Sequence, residues 1–378
     1  MIISDLVNGL DKSIDTPFHI AWHLAHKMDG FENVHVMCRI AKTCQISGDK
    51  EVSSRLLETV LQKGEILKGL DLVEVQMKIA ESAIECGNAE IARKALSKAN
   101  QNIAGIEDKF KQSNMWVRMS DCHFKLGEVM EAGSARTEAL EIAHELKEYK
   151  IDILRDVSGA CRRAGDRISI SGLIDQILAE SGTLSGEEKY LYLLSLSEMY
   201  FDVGKDDQAR KSLEEAVVLL DGLEKNEIIV VHLYSLAIIY AEHPSGMEKC
   251  RELAAKAMSV ASGLEEGNSK DFALGMTARI CLLAGNAEKA LECANHVKGL
   301  ARIKILLAVS VYFSENGKDS IQAIKLFIEA IGLFASLNER EKKRIRSIFP
   351  QMASICLDLK ECQLDAAQKE LIRKFLGI

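Results

Sequence analysis

The chain has 378 residues, 47% of them apolar, with a formal net charge of −8, three prolines and 5% aromatics. So few helix breakers beside abundant Ala, Leu, Glu, Lys and Ile point to an all-α fold, and the absence of any Lys/Arg block longer than Glu341–Arg346 argues against nucleic acid, whose affinity comes from clustered cations. No stretch nears the roughly 18 uninterrupted apolar residues of a membrane span, and Asp5 stands where a secretory signal carries positive charge, so a soluble cytoplasmic protein is expected.

The first predicted element is an N-terminal helical cap over residues 1–30, in which Asp15-Thr16-Pro17 reads as an N-cap followed by a first-turn proline, opening a helix to about Met28. Along it His19, His23 and His26 fall within about 60° of one another, and imidazoles at i and i+4 are a known metal-ligand geometry. Neither His19 nor His23 is followed by the glutamate of a hydrolytic motif, however, and Phe18, Ala21, Trp22, Ala25 and Met28 form an apolar arc opposite. The three histidines are therefore expected on the polar side, exposed or facing a partner, with a metal site as the alternative; no cofactor is expected.

From residue 31 onward the sequence repeats. "CGNAEIARKAL" at Cys86–Leu96 returns as "AGNAEKALECA" at Ala284–Ala294. Between and around them stand turn residues at Gly48, Gly87, Gly127, Gly165, Gly204, Ser245 (or Gly246), Gly285 and Gly317, with spacings of 39, 40, 38, 39, 41, 40 and 32. A catalytic site occurs once, whereas a phrase recurring at this period is the punctuation of a solenoid. Five residues after the turn come Ser53, Ala92, Ala132, Ile170, Ala209, Cys250 and Ala290, with Ala323 one place late. Further apolar positions follow at helical steps of four and three. Seven before the turn come Ala41, Ala80, Ser120, Ser158, Ser197, Ile238, Ala278 and Ser310, nearly all small enough for two helices to approach closely. Gly105, Gly222 and Gly263 lie 18 residues after a turn and are expected to be left-handed C-caps. Each unit is thus a helix A, a glycine turn, a helix B and a return loop, eight of them over residues 31–335. Residues 336–378 supply two C-terminal capping helices, one begun or bent at Pro350 and the last placing Leu364, Leu371 and Phe375 on one face.

Little in the chain promises chemistry. The ten cysteines contain no Cys-x-x-Cys pair, so they read as free thiols rather than zinc ligands. Asp206-Asp207 opens a helix, where acids suit the macrodipole, and no glycine loop is followed by Lys-Ser/Thr. No nucleophile stands with a base, so the chain is read as non-enzymatic.

The unit resembles the tetratricopeptide repeat (TPR), most clearly in its fifth copy: Leu193, Ser197, Tyr200, Gly204, Ala209, Leu213 and Ala216. Units of near 40 residues without a closing proline are similar to the sensory arm of MalT-type regulators. The resemblance implies a right-handed α-solenoid of antiparallel helix pairs, one continuous domain whose A helices line a concave groove. Positions 13, 10, 6 and 3 residues before each turn then form the candidate wall: Glu74, Met77, Glu81, Asp121, Phe124, Arg155, Arg162, Glu198, Phe201, Glu242 and Arg279, with His232, Ile239 and Phe272 also on it. Glu81, Asp121 and Glu198 stand where a carboxylate clamp needs cations. The expected partner is therefore a protein or peptide of basic or amphipathic character. The alternative is a sensory module that closes on a small ligand or signalling peptide, and third comes an all-α enzyme; the sequence leaves the oligomeric state open.

Overall fold

The computed structural model describes residues 17–28, 30–146, 149–179, 184, 186–222, 226–243, 246–315, 319–337, 349–358 and 364–376. Every regular element among them is an α-helix. Helix α1 (Pro17–His26) precedes the A and B helices, which alternate in chain order among the described residues: α2 (Gly30–Ile46) and α3 (Lys50–Gly64), α4 (Gly69–Glu85) and α5 (Ala89–Ile103), α6 (Lys109–Lys125) and α7 (Val129–Glu145), α8 (Lys150–Arg163) and α9 (Arg167–Ala179). The series continues with α10 (Gly186–Asp202) and α11 (Asp206–Asp221), α12 (Glu227–Ala241) and α13 (Met247–Gly263), α14 (Asn268–Leu283) and α15 (Ala287–Asn295), α16 (Gly299–Glu315) and α17 (Ser320–Ser336). Helices α18 (Phe349–Asp358), with Pro350 in its first turn, and α19 (Ala366–Leu376) follow. The chain divides into two compact units, residues 44–223 and residues 1–43 with 224–378.

The repeated phrase is a double cap. Gly48, Gly87, Gly127, Gly165, Gly204 and Gly285 all take φ between +70° and +93°, which only glycine adopts freely. The residue after each donates its N–H to the carbonyl five back, as Asn88 does to Ala83 and Asn286 to Cys281, both at 2.8 Å; this is the closing bond of a Schellman motif. The same asparagines then cap helix B, since Asn88 Oδ1 accepts from Ile91 N at 3.1 Å and Asn286 Oδ1 from Lys289 N at 3.0 Å. Gly-Asn therefore ends one helix and starts the next. Ser245 and Gly317 fall outside the described residues, and Gly246, the alternative to Ser245 for the sixth turn, is not left-handed, with φ −83°.

One expectation about the glycines needs correction. Gly222 has φ −88°, and Gly105 and Gly263 are also not left-handed. The helix ends at Gly105 and Gly222 instead tighten into an i to i−3 turn, Gly105 N–H to Asn102 O and Gly222 N–H to Leu219 O, both at 3.1 Å, which satisfies the last carbonyls without a left-handed residue. A second glycine series went unread: Gly30, Gly69, Gly186 and Gly299, each opening a helix A at φ between +52° and +58°.

The hairpin core follows the repeat. Every helix B residue from Ser53 to Ala323 in the series above is at most 1% exposed, as are the small helix A residues Ala41, Ala80, Ser120, Ser158, Ser197, Ala278 and Ser310. Small side chains let backbone and side chain meet across the hairpin, so that Ser310 Oγ donates to Ala323 O at 2.8 Å. Hairpin six departs from the expected register. Ile238 is 37% exposed and Ala237, at 0%, takes the small position. Cys250 Sγ donates to Ala237 O across a 13-residue separation, one more than between Ala80 and Ala92, so the A helix is drawn back by one residue.

Helix α1 packs on α18 and α19. Ile20, Ala21, Leu24 and Ala25 are 0% exposed, Trp22 5% and His23 9%. The expected polar histidine face is thereby corrected for His23, which is buried on a helix that packs against α18 and α19. His26 alone of the pair stays exposed, its ring 4.6 Å from that of Trp22 and its Nδ1 2.9 Å from Trp22 O. The side chain of His19 lies outside the described residues. Phe334, Phe349 and Phe375 close the same end, with ring centroids 5.0–5.9 Å apart.

Candidate functional site

Successive A helices pack directly on one another, α4 on α6, α6 on α8 and α8 on α10 within residues 44–223, and α12 on α14 and α14 on α16 within residues 224–378. The B helices pack chiefly on A helices. Each unit therefore presents a continuous wall of A-helix side chains.

Within residues 44–223 that wall is an ion-pair ladder. Arg118 of α6 donates from Nε to Glu81 Oε1 of α4 at 2.8 Å and approaches it again through Nη2 at 2.7 Å. Arg163 of α8 holds Asp121 of α6 through Nε at 2.9 Å and Nη2 at 2.6 Å. Arg155 lies among Asp152 at 3.2 Å, Asp156 at 3.3 Å and Glu198 of α10 at 4.0 Å, and Arg162 meets Asp202 of α10 at 3.2 Å. Burial raises the Asp156 carboxyl above its ordinary range although Arg155 opposes the shift. Glu81, Asp121 and Glu198, expected to await a basic partner, are thus each met by an arginine of the chain itself. Arg118 and Arg163 were missed because neither stands at a predicted wall offset; both reach across from the neighbouring A helix.

The remaining wall residues sort by depth. Met77 is 0% exposed, and Val117 and Leu194 at the same offset are 6% and 5% exposed, although Arg155 there is half-buried; the placement of Met77 on an open surface is thereby corrected. Glu74, Phe124, Arg155 and Phe201 are half-buried and Arg162, Glu242 and Arg279 exposed.

Within residues 224–378 the one-residue shift in hairpin six changes the reading. His232 and Ile239, expected on the wall, are buried at 6% and 5%. Their neighbours Val231, Tyr234 and Ile238 take the surface instead, the first two half-buried and Ile238 37% exposed. On α14, Phe272 is 50% exposed, Leu282 half-buried and Arg279 exposed. Lys304 on α16 is exposed too.

No group of three or more His, Cys, Asp or Glu side chains arranged for a metal occurs among the described residues. The described cysteines are free and buried, and burial pushes the Cys122 thiol up to about 12 and Cys44 to about 11, away from the reactive thiolate. Cys281, lowered by its hydrogen bond with Cys293 across hairpin seven, is buried like its partner. An open cavity of about 400 Å³ beside α10 and α11 is lined by Leu193, Val218 and Leu219 and by Lys189, Lys211, Glu214 and Glu215, charges of both signs. No helix among the described residues is long and apolar enough to cross a membrane.

No family model matches the chain, and no curated protein matches it. Solved structures similar to it include nearly identical TPR-like repeats of Podosopora anserina, at 17% identity over 51% of this chain and 97% of that one with a TM-score of 0.34. Ton1535 of Thermococcus onnurineus NA1 is 14% identical over 87% of this chain and 93% of its own, with a TM-score of 0.35. The apo form of RapI is 15% identical over 83% and 87%, with a TM-score of 0.33. The likeness stops at stacked helical hairpins; in this chain the TPR-like unit stands on its own caps, its small helix A residue and its consecutive pairing.

Proposed function

We propose that the chain is a non-enzymatic helical-repeat scaffold that holds a protein or peptide partner against the wall of its A helices. The observation that carries this reading is the direct packing of successive A helices, which turns one face of each unit into a surface of half-buried and exposed side chains several helices wide. A wall of this width matches the extended surfaces by which repeat proteins engage partners, while the buried thiols supply no reactive nucleophile. The small-ligand reading has less behind it, since the cavity beside α10 and α11 lies open to solvent, with Leu193, Val218 and Leu219 set among charges of both signs rather than enclosed around a few convergent polar groups.

The test is affinity purification of the full chain from its own cells, followed by cross-linking mass spectrometry of what is recovered. A stoichiometric protein cross-linked to α4, α6, α8, α10, α12, α14 or α16 supports the scaffold. Cross-links confined to the B helices, or recovery of the chain alone with a small molecule that raises its melting temperature, would reject it.

A further inference from the structure

We propose that the apolar strip shared by α12 and α14, together with the cations Arg279 and Lys304, docks an acidic amphipathic helix of a protein partner. This rests on the reading of the A-helix wall as the partner surface and adds both the place and the chemistry.

The strip is built from two parallel rows. Val231, Tyr234 and Ile238 follow one another at steps of three and four on α12, and Phe272, Gly275, Arg279 and Leu282 at steps of three, four and three on α14, so each row occupies a single helix face. The two helices pack on one another, which sets the rows side by side. Phe272 at 50% and Ile238 at 37% exposure leave apolar carbon facing water, a cost that a covering partner removes. Between Phe272 and Arg279 a Cβ added at Gly275 would meet nothing within 4 Å, so the strip has a notch at its centre. A ridge of aliphatic side chains spaced i, i+3, i+4 and i+7 along one partner helix fits such a two-helix strip.

Charge decides which helix. Arg279 on α14 and Lys304 on the adjoining α16 are exposed and have no hydrogen bond or ion pair among the described residues. In the ladder of residues 44–223, by contrast, Arg118, Arg155, Arg162 and Arg163 each meet a carboxylate. On the strip these two exposed cations outnumber the one exposed carboxylate, Glu242 at the end of α12, on a chain whose net charge is −8. Glutamate or aspartate flanking the partner's apolar face answers those cations, while a basic helix meets like charge, which costs affinity and slows encounter.

The experiment uses the full chain and three fluorescein-labelled peptides read by fluorescence anisotropy: a helix with leucines at i, i+3, i+4 and i+7 flanked by glutamates, a twin with lysine for every glutamate, and a scramble of the first peptide lacking the apolar face. The acidic helix is expected to bind at least about tenfold more tightly than either control, and Arg279→Glu and Phe272→Ala are each expected to weaken it by about tenfold, the effect of losing one interface anchor. Both side chains are exposed, so the variants should keep the wild-type helical circular dichroism and melting curve. Equal or tighter binding of the basic twin, equal binding of the scramble, or indifference to Arg279→Glu would overturn the proposal. So would sedimentation velocity showing a dimer that Phe272→Glu dissociates, because the strip would then belong to a second copy of the chain. Should the acidic peptide fail while a recovered partner still cross-links to the A helices, this inference falls and the scaffold stands; cross-links confined to the B helices remove both.

Discussion

Alanine in place of glycine should have opposite effects at two positions that look alike in the sequence. Gly87 sits at φ +71°, and a Cβ there would meet nothing within 4 Å, so Gly87→Ala is charged for backbone conformation alone. A left-handed non-glycine residue costs about 1–2 kcal/mol, and the reduced entropy of the unfolded chain returns about 0.4–1 kcal/mol, which leaves a net loss of about 1 kcal/mol. Gly105 is right-handed, and its added Cβ would lie 3.4 Å from Asn102 O, an ordinary contact. Gly105→Ala keeps the entropic gain and should stabilise by about 0.4–1 kcal/mol. The unfolded-state contribution is common to both variants, so their difference isolates the left-handed penalty. Thermal unfolding followed by circular dichroism should show midpoints displaced in opposite directions by a few degrees, about 2–4 °C per kcal/mol for a unit of this size. Two losses of equal size would refute the assignment of Gly87 as cap and Gly105 as ordinary helix end.

Other outcomes follow from the packing and the charges. Trp22→Ala should cost about 3–5 kcal/mol, and because α1 packs on α18 and α19, hydrogen exchange should accelerate in residues 349–376 and stay unchanged in α4 to α11. Gly64→Ala should destabilise, since its Cβ would stand 2.6 Å from Val75 Cγ1, and Val75→Ala in the same chain should recover part of the loss. A double-mutant cycle on Glu81 and Arg118 should give a coupling of about 0.5–1 kcal/mol that shrinks in high salt, as fits a pair at 27% and 30% side-chain exposure. The Glu128 carboxyl is held below its ordinary 4.5 by hydrogen bonds from Arg93 and then His123. A depressed carboxyl contributes stability that is complete above pH 4.5 and lost as the pH falls below it towards the folded value, so Glu128→Gln should flatten the acid limb of the stability profile there.

The hairpins were legible because their punctuation is local. A positive-φ glycine and the capping residue after it are set by two adjacent side chains, and Gly87-Asn88 announces both. The small residue seven places before the turn was equally readable wherever the turn length was constant. Hairpin six broke that constancy by one residue, which moved Ile238 from core to surface and His232 from surface to core. Composition cannot show such a slip, because α12 is apolar on every side: Ile229, Leu233 and Leu236 flank Ile228 and Ile238 with the same chemistry. Helix α1 misled for a related reason. Its histidines recur at a helical spacing, but the sequence does not say that α18 and α19 come back to pack on this helix and that His23 is buried there. The charges of the wall were read as residue types and not as partners, for the arginines that meet Glu81 and Asp121 stand 37 and 42 residues further along the chain. Such pairings are decided by which A helices are neighbours, a property of the stack and not of any one unit.

Hydrogen exchange of the full chain with and without the partner recovered by affinity purification tests the scaffold most directly. Slowed exchange concentrated in the A helices, strongest in α12 and α14, is the predicted result. Protection confined to B helices such as α13 and α15, with the A helices unchanged, would contradict it.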